Sequence, residues 1–121
     1  MSGDIHKLLI FLKRKAGTSA EEFRRYYEEQ HIPLCLPYMA GPAGYRRYYL
    51  EPAEGSTEPE FDVVTELVFT DRAMRDLVVA SLAADRLPAE VIADEEKFID
   101  RSRSRFNAVT ECETLLEAGL K

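Results

Sequence analysis

The chain has 121 residues, of which 45% are hydrophobic and 31% charged, and its formal net charge is -6. This composition excludes an intrinsically disordered chain, and the length leaves room for one domain, over residues 1–121. The negative charge argues against nucleic acid or an anionic membrane as the main partner. No apolar run approaches the ~20 residues of a membrane span, and the first residues do not resemble a secretion signal. We therefore expect a cytoplasmic protein with reduced cysteines.

The first predicted elements are a buried strand and an amphipathic helix. Residues 5–13 are rich in Leu, Ile and Phe and end in a basic run before a glycine, which is typical of a short strand. Ser19 and Glu22 have the spacing of a capping box, which begins a helix. Apolar residues then recur at helical spacing as far as His31. Because Pro33 disfavours helical geometry at the preceding residue, we expect the helix to end or become irregular just after His31.

The rest of the chain predicts three more strands and further helix. The predicted strands cover residues 45–50, 61–69 and 105–114, and the predicted helices cover residues 71–84 and 89–99. Asp71 is placed to cap the first of these helices. Its inner face is expected to carry Met74, Leu77, Val78 and Leu82.

The order of these elements predicts the fold class. It is βαββαβ, the ferredoxin-like α+β arrangement of a four-stranded antiparallel sheet with two helices on one face. The other face of the sheet would carry apolar side chains such as Val64 and Val68. Monomers seldom expose an apolar area of that size, so we expect a second copy of the sheet to cover it and form a dimeric α+β barrel.

The sequence contains no recognisable motif for a metal or a cofactor. The two histidines, His6 and His31, and the two cysteines, Cys35 and Cys112, do not have metal-ligand spacing. The sequence also contains neither a phosphate-binding glycine loop nor a serine-nucleophile motif. We therefore expect neither a metal nor a cofactor.

His31 is the candidate catalytic residue. It follows Phe23 by two helical turns, which places it on the buried stripe near the end of the helix. The helix dipole favours a protonated imidazole there, whereas burial disfavours it. Opposing effects of this kind suit a general acid or base near neutral pH. The alternative is a structural histidine that ends the helix by binding a backbone carbonyl.

Aromatic and acidic side chains are candidates for substrate binding. Tyrosine rings with their hydroxyl groups suit an aromatic substrate, although they serve equally well in a core or a dimer interface. Two carboxylates on one face of the third predicted strand can position a substrate hydroxyl, or can form a salt bridge with Arg46 or Arg47. The candidate substrate-binding residues are Phe23, Tyr27, Tyr49, Asp62, Glu66 and Phe98.

Two stretches of the chain carry a resemblance to a known family. The first runs from a basic strand end through the capped, aromatic-rich helix to the His-x-Pro sequence at residues 31–33. The second is Asp-Glu-x-x-Phe-x-Asp at residues 94–100. On these stretches, residues 5–114 resemble the EthD-like family of dimeric α+β-barrel proteins. One departure is Tyr27, where many relatives have Trp.

The resemblance implies a homodimer and cofactor-free chemistry on a small aromatic or polyketide-like substrate. It implies that His31 supplies acid–base catalysis in a lyase or cyclase of the dehydratase type, by removing an acidic C–H proton beside a ketone. Two alternatives stay open, because one fold hosts many functions. They are a cofactor-free monooxygenase of a phenolic substrate and a non-catalytic accessory or binding protein.

Overall fold

The computed structural model describes residues 4–117, and these contain one four-stranded antiparallel sheet. The strands are β1 (His6–Leu12), β2 (Gly44–Tyr49), β3 (Val63–Phe69) and β4 (Arg105–Val109). They are ordered β2-β3-β1-β4, and each neighbouring pair is antiparallel. This is the ferredoxin-like α+β arrangement, so the fold class predicted from the sequence is confirmed.

The helices pack on one face of this sheet. They are α1 (Ala20–Tyr26), α2 (Ile32–Cys35), α3 (Arg72–Ala83) and α4 (Ala89–Phe98). Leu8 and Leu67 lie opposite each other in the β1–β3 register, and both face α3 in an apolar cluster. Leu12 and Val63, the last such pair on the same face, pack against residues of α1 and α4. Burial of one large apolar side chain in such a cluster contributes about 2 kcal/mol.

The segment between α1 and β2 differs from the sequence prediction. α1 begins with the expected capping box of Ser19 and Glu22. A π-helical turn, Tyr27–His31, follows it, and the backbone N–H of Ile32 donates to the carbonyl of Tyr27. The helix then continues through α2 into a 3-10 turn, Leu36–Tyr38. Residues 20–38 thus form one first helical segment.

The predicted end of the helix just after His31 is therefore wrong. Pro33 lies in the first turn of α2. The chain nevertheless stays helical through this proline, which comes directly after the π turn. The segment is irregular in the π turn that ends at His31 and again in the 3-10 turn, Leu36–Tyr38.

Two other predicted elements need correction. β4 ends at Val109 instead of residue 114, because its partner β1 begins at His6 and Val109 already pairs with Lys7. In α3 the Asp71 cap is present, but Leu77 is 58% exposed, although it lines the cavity described below. Residues 115–121, which the sequence predicts as a tail after the last strand, lie partly outside the described residues.

The sheet face opposite the helices is partly apolar. The half-buried side chains of Leu9, Phe11 and Val64 lie on it, together with the charged Glu66. Val68, which was expected to be exposed there, is only 8% exposed. Its Cβ lies beside Gly44 of the neighbouring strand β2.

None of the helices in residues 4–117 combines the length and the hydropathy needed to span a bilayer.

Candidate active site

A cavity of about 390 Å³ lies between the sheet and the helices that pack on it. The sheet, the first helical segment, α3 and α4 all contribute to its wall. The apolar part of the wall includes Ile10, Leu12, Leu67, Val78, Leu82 and Val91. Small-molecule sites have volumes in this range, and they are commonly apolar with a few polar groups that orient the ligand.

His31 lines this cavity and is 5% exposed. It ends the π turn, a helical irregularity that is frequent at functional sites. Its ring packs against those of Tyr27 and Phe98, with centroid separations of 5.7 Å and 4.9 Å. These contacts restrict the orientation of the imidazole, so both ring nitrogens have fixed surroundings.

The Nδ1 atom of His31 is bound to a carboxylate. It lies 2.8 Å from Oδ2 of Asp94, which belongs to α4, and the hydroxyl of Tyr26 donates to Oδ1 of the same carboxylate at 2.6 Å. Burial opposes ionisation of Asp94, but the hydrogen bonds from Tyr26 and His31 outweigh it and lower its pKa. Because the carboxylate carries no proton at neutral pH, Nδ1 must donate to it. In the neutral imidazole, Nε2 is then a proton acceptor.

The Nε2 atom of His31 faces a thiol. It lies 3.3 Å from Sγ of Cys35, one helical turn further along, and Cys35 also lines the cavity. Burial, with smaller contributions from Glu95 and Asp94, raises the pKa of the Cys35 thiol to about 12. The thiol is therefore protonated at neutral pH and donates a weak hydrogen bond to Nε2.

Three hydroxyl groups form a second polar feature of the cavity wall. The hydroxyl of Tyr27 lies 2.7 Å from that of Thr65 and 3.0 Å from that of Tyr45. Burial raises the pKa of Tyr27 to about 12, and it raises that of Tyr45 as well. This hydroxyl cluster (Tyr27, Tyr45 and Thr65) is therefore neutral, and it can donate hydrogen bonds to a carbonyl or alkoxide oxygen of a ligand.

Glu95 is a carboxyl group in the same wall. One of its oxygens accepts a hydrogen bond from Nε of Arg101 at 3.0 Å. Burial raises the pKa of Glu95, and the ion pair with Arg101 only partly offsets this. The raised pKa means that a larger fraction of Glu95 holds its proton than of an ordinary glutamic acid at the same pH, so Glu95 is suited to a proton-donor role.

The aromatic residues singled out in the sequence have different positions around the cavity. Tyr27 lines it. Phe23 and Phe98 are 1% and 2% exposed and belong to the apolar cluster that packs beneath β1 and β3. Tyr49 packs edge-on to Tyr27 at 6.3 Å, and its hydroxyl donates to Glu28. Phe98 supports His31, whereas Phe23 and Tyr49 support Tyr27.

Asp62 and Glu66 lie away from the cavity. Asp62 accepts hydrogen bonds from the backbone N–H of Arg14 at 2.8 Å and from its guanidinium at 2.7 Å. Glu66 is on the opposite face of the sheet, where Nη1 of Arg46 donates to it at 2.8 Å. Glu66 therefore forms the salt bridge with Arg46 that was one alternative from the sequence. Asp62 pairs instead with Arg14, which follows β1. The structure does not bring either carboxylate to His31.

Cys35 and Thr65 of the cavity wall, and Asp94, which binds His31, were not predicted as site residues, although signals for them exist. Asp94 and Phe98 are one helical turn apart, and so are His31 and Cys35, so each pair presents one helix face. Thr65 is the polar member of the strand face that otherwise carries Val63, Leu67 and Phe69. Among residues 4–117, no group of His, Cys, Asp and Glu is arranged to hold a metal ion.

The sequence matches the model of a known protein family. The family model described as the EthD domain matches residues 15–102. The chain belongs to the EthD family. The matched range includes the second stretch and all of the first except residues 12–14, and it includes His31, Cys35 and Asp94.

Solved structures similar to this EthD-family chain share its fold at low sequence identity. An EthD family protein of Bacillus halodurans is 18% identical, with a TM-score of 0.58 over 88% of this chain and 99% of that one. An EthD-like protein of Ralstonia eutropha is 16% identical, with a TM-score of 0.54 over 95% and 96%. A hypothetical protein of Arabidopsis thaliana is 12% identical, with a TM-score of 0.59 over 92% and 91%. No curated protein matches the chain.

Proposed function

We propose that this EthD-family protein is a cofactor-independent lyase or cyclase in which His31 is the general base. The observation that supports this is the hydrogen bond between Nδ1 of His31 and Asp94 at the wall of an apolar cavity. It leaves Nε2 unprotonated in the neutral imidazole, on the side that faces Cys35. A positioned base in an apolar, partly closed site is sufficient for proton transfer from carbon.

In the proposed reaction, Nε2 of His31 takes a proton from the carbon beside a ketone. The electrons of that C–H bond form an enolate, and the hydroxyl cluster (Tyr27, Tyr45 and Thr65) donates hydrogen bonds to its oxygen. The enolate then expels a β-hydroxyl group, which leaves as water with a proton from the imidazolium. The products are an enone and water, and His31 is neutral again.

We propose that Glu95 relays this proton: it protonates the leaving hydroxyl, and the imidazolium of His31 returns its proton to the Glu95 carboxylate. It lines the same cavity as His31, and burial raises its pKa. A dehydration needs a base and an acid on one substrate, and two groups with differently tuned pKa values are the usual solution. Arg101 holds the carboxyl group in place through its Nε atom.

The proposed substrate is a small aromatic or polyketide-like ketone. Most of the wall residues are aliphatic or aromatic. The polar groups are those of His31, Cys35, the hydroxyl cluster, Glu95, Tyr38, Ser81 and Arg86. Such a wall favours a flat apolar ring with a few oxygen atoms over a charged metabolite.

We also propose that the protein is a cytoplasmic homodimer, as expected from the sequence. The support is the partly apolar sheet face opposite the helices, where Phe11 packs against Phe61 at 5.4 Å and Tyr48 is 47% exposed. A second sheet packed there would bury this surface. Sedimentation equilibrium tests the assembly, and Phe11→Glu should shift it to monomer. A monomeric wild-type protein at all concentrations would overturn this part of the proposal.

The reaction can be tested with a defined β-hydroxy ketone. 3-Hydroxy-1-tetralone loses water to give 1-naphthol, which is followed by its fluorescence. We expect turnover by the wild-type protein and a loss of at least about tenfold in His31→Asn. His6→Asn is the matched control, because His6 lies in β1 outside this cavity, and its turnover should be unchanged.

Further measurements distinguish the alternative functions. Oxygen consumption with phenolic substrates, together with no naphthol, would favour a monooxygenase. Binding of 1-tetralone with no exchange of its α-protons in deuterated water would favour a binding protein. A His31→Asn variant that folds and keeps full turnover would overturn the assignment of His31.

A further inference from the structure

Cys35, His31 and Asp94 form a linear series of contacts at the cavity wall. Sγ of Cys35 lies 3.3 Å from Nε2 of His31, and Nδ1 of the same ring lies 2.8 Å from Oδ2 of Asp94. A nucleophile, a base and a group that orients the base stand in this order in enzymes that form covalent intermediates. The proton transfer described above does not use the thiol.

The position of Cys35 selects what can reach its sulfur. The residue is 9% exposed, and its open side is the cavity, whose wall is mainly apolar. A small neutral molecule can enter such a space, whereas a charged reagent would lose its hydration there. Cys112, the other cysteine, lies after β4 and is exposed. The two cysteines of this chain therefore differ in access.

We propose that Cys35 is a site of covalent addition for neutral, apolar α,β-unsaturated ketones that enter the cavity. In the addition, Nε2 of His31 takes the S–H proton while sulfur forms a bond to the β-carbon of the enone. The carbon–carbon π electrons move to give an enolate, and the imidazolium returns the proton to the α-carbon. The product is a saturated ketone bound through a thioether, and no oxidant or reductant is needed.

The surroundings of the thiol favour this class of acceptor. The pKa of about 12 means that little thiolate exists at neutral pH, so the proton must leave as sulfur attacks. The enolate oxygen that forms needs hydrogen-bond donors, and the hydroxyl cluster lies in the same cavity. His31 can therefore remove the thiol proton while the neutral hydroxyl groups stabilise the enolate oxygen, as addition to an enone requires.

This addition does not depend on the proposed dehydration. An enone is the product class of that dehydration, but any enone of suitable size would react with the thiol. If the protein does not turn over hydroxyketones, Cys35 should still be modified. If it turns them over and Cys35 stays unmodified, only the addition is wrong.

The test uses 2-cyclohexenone as the probe and intact-protein mass spectrometry at neutral pH. Cys112→Ser leaves Cys35 as the sole thiol, and Cys35→Ser leaves Cys112 as the matched control. We expect one cyclohexenone to add to Cys35 in Cys112→Ser. The rate should fall at least about tenfold when His31→Asn is added to that variant.

A pH profile gives a second, independent readout. If His31 removes the proton, the rate of addition to Cys35 should level off well below the thiol pKa of about 12. If free thiolate reacts, the rate should continue to rise with pH. Should His31→Asn fail to fold, Asp94→Asn takes its place, because it keeps the imidazole and removes the group that orients it.

Three results would overturn the proposal. The first is an unmodified Cys35 in Cys112→Ser under conditions where Cys112 reacts in Cys35→Ser. The second is an equal rate of addition with and without His31 in folded protein. The third is a rate that rises with pH without levelling off.

Discussion

The imidazole of His31 and the carboxylate of Asp94 are joined by a 2.8 Å hydrogen bond although they are 63 positions apart in the chain. The π turn supplies one partner and α4 supplies the other. Because Asp94 is buried, bonded to Tyr26 and ionised, it fixes which nitrogen of His31 carries the proton. The chemistry available at Nε2 therefore depends on the docking of α4 against the first helical segment.

Replacement of Asp94 by Asn should reduce proton transfer by His31. An amide of the same shape can donate to Nδ1, which would place the proton on Nε2 and remove the base. We expect at least an about tenfold fall in α-proton exchange of 1-tetralone, measured by NMR. Glu96→Gln, on the exposed side of the same helix, is the control and should leave exchange unchanged. Unchanged exchange in Asp94→Asn would mean that Asp94 does not set the tautomer.

The stability of the protein should depend on pH through Asp94. Its pKa is lower in the folded state than the ordinary value of 3.8. The unfolded chain then binds the proton more readily, so this stabilisation is fully present above 3.8 and is lost as the pH falls through the folded pKa. Urea unfolding of the wild-type protein and of Asp94→Asn should show a stability difference that shrinks as the pH is lowered from 5 to 3. A difference independent of pH over this range would contradict the assignment.

Thr65→Val should weaken the hydroxyl cluster without changing the strand. Valine has the shape of threonine but cannot bond the hydroxyl of Tyr27, which lies 2.7 Å from Thr65. Loss of one buried hydrogen bond should cost about 1 kcal/mol of the free energy of unfolding. Thr70→Val, at an exposed position just after β3, is the matched control and should change stability much less. Equal losses in the two variants would show that the hydroxyl contact contributes nothing.

Phe98→Ala should destabilise the fold and also release His31. Phe98 is 2% exposed, and its ring lies 4.9 Å from that of His31. Removal of a buried phenylalanine ring costs about 3–5 kcal/mol, which chemical denaturation measures directly. Phe98→Leu fills most of the space and should cost less, yet it should still broaden the NMR signals of the His31 ring. Sharp, unshifted His31 signals in Phe98→Leu would contradict a supporting role.

The order of the elements could be predicted because it depends on local patterns. The alternation in β3, the capping box of Ser19 and the Asp71 cap each involve residues close in sequence. The same patterns identified His31 as a buried helical histidine. Its partner could not be predicted, because the approach of Asp94 depends on how α4 docks, and no local pattern encodes that contact.

The wrong predictions failed for the same reason, because the outcome depends on contacts between elements distant in sequence. A proline rule predicted a helix end after His31, but packing of the first helical segment on the sheet supports a π turn instead. Asp62 and Glu66 had the right spacing to share a face. Neither reaches the cavity, because Arg14 and Arg46 pair with them elsewhere. Strand alternation predicts which residues share a face of the sheet, but it does not predict which face lines the cavity.

The π turn also has a consequence for the phase of the helix. It inserts one extra residue, and one residue corresponds to a rotation of about 100° around a helix axis. Upstream of it, Phe23 is directed into the core, and downstream Cys35 and Tyr38 are directed into the cavity. The core part and the cavity part of this segment meet at Tyr27, which belongs to the apolar cluster and also lines the cavity. Deletion of a single residue between 27 and 31 would bring the two halves back into one phase and turn the cavity-lining residues away, even with every other side chain retained.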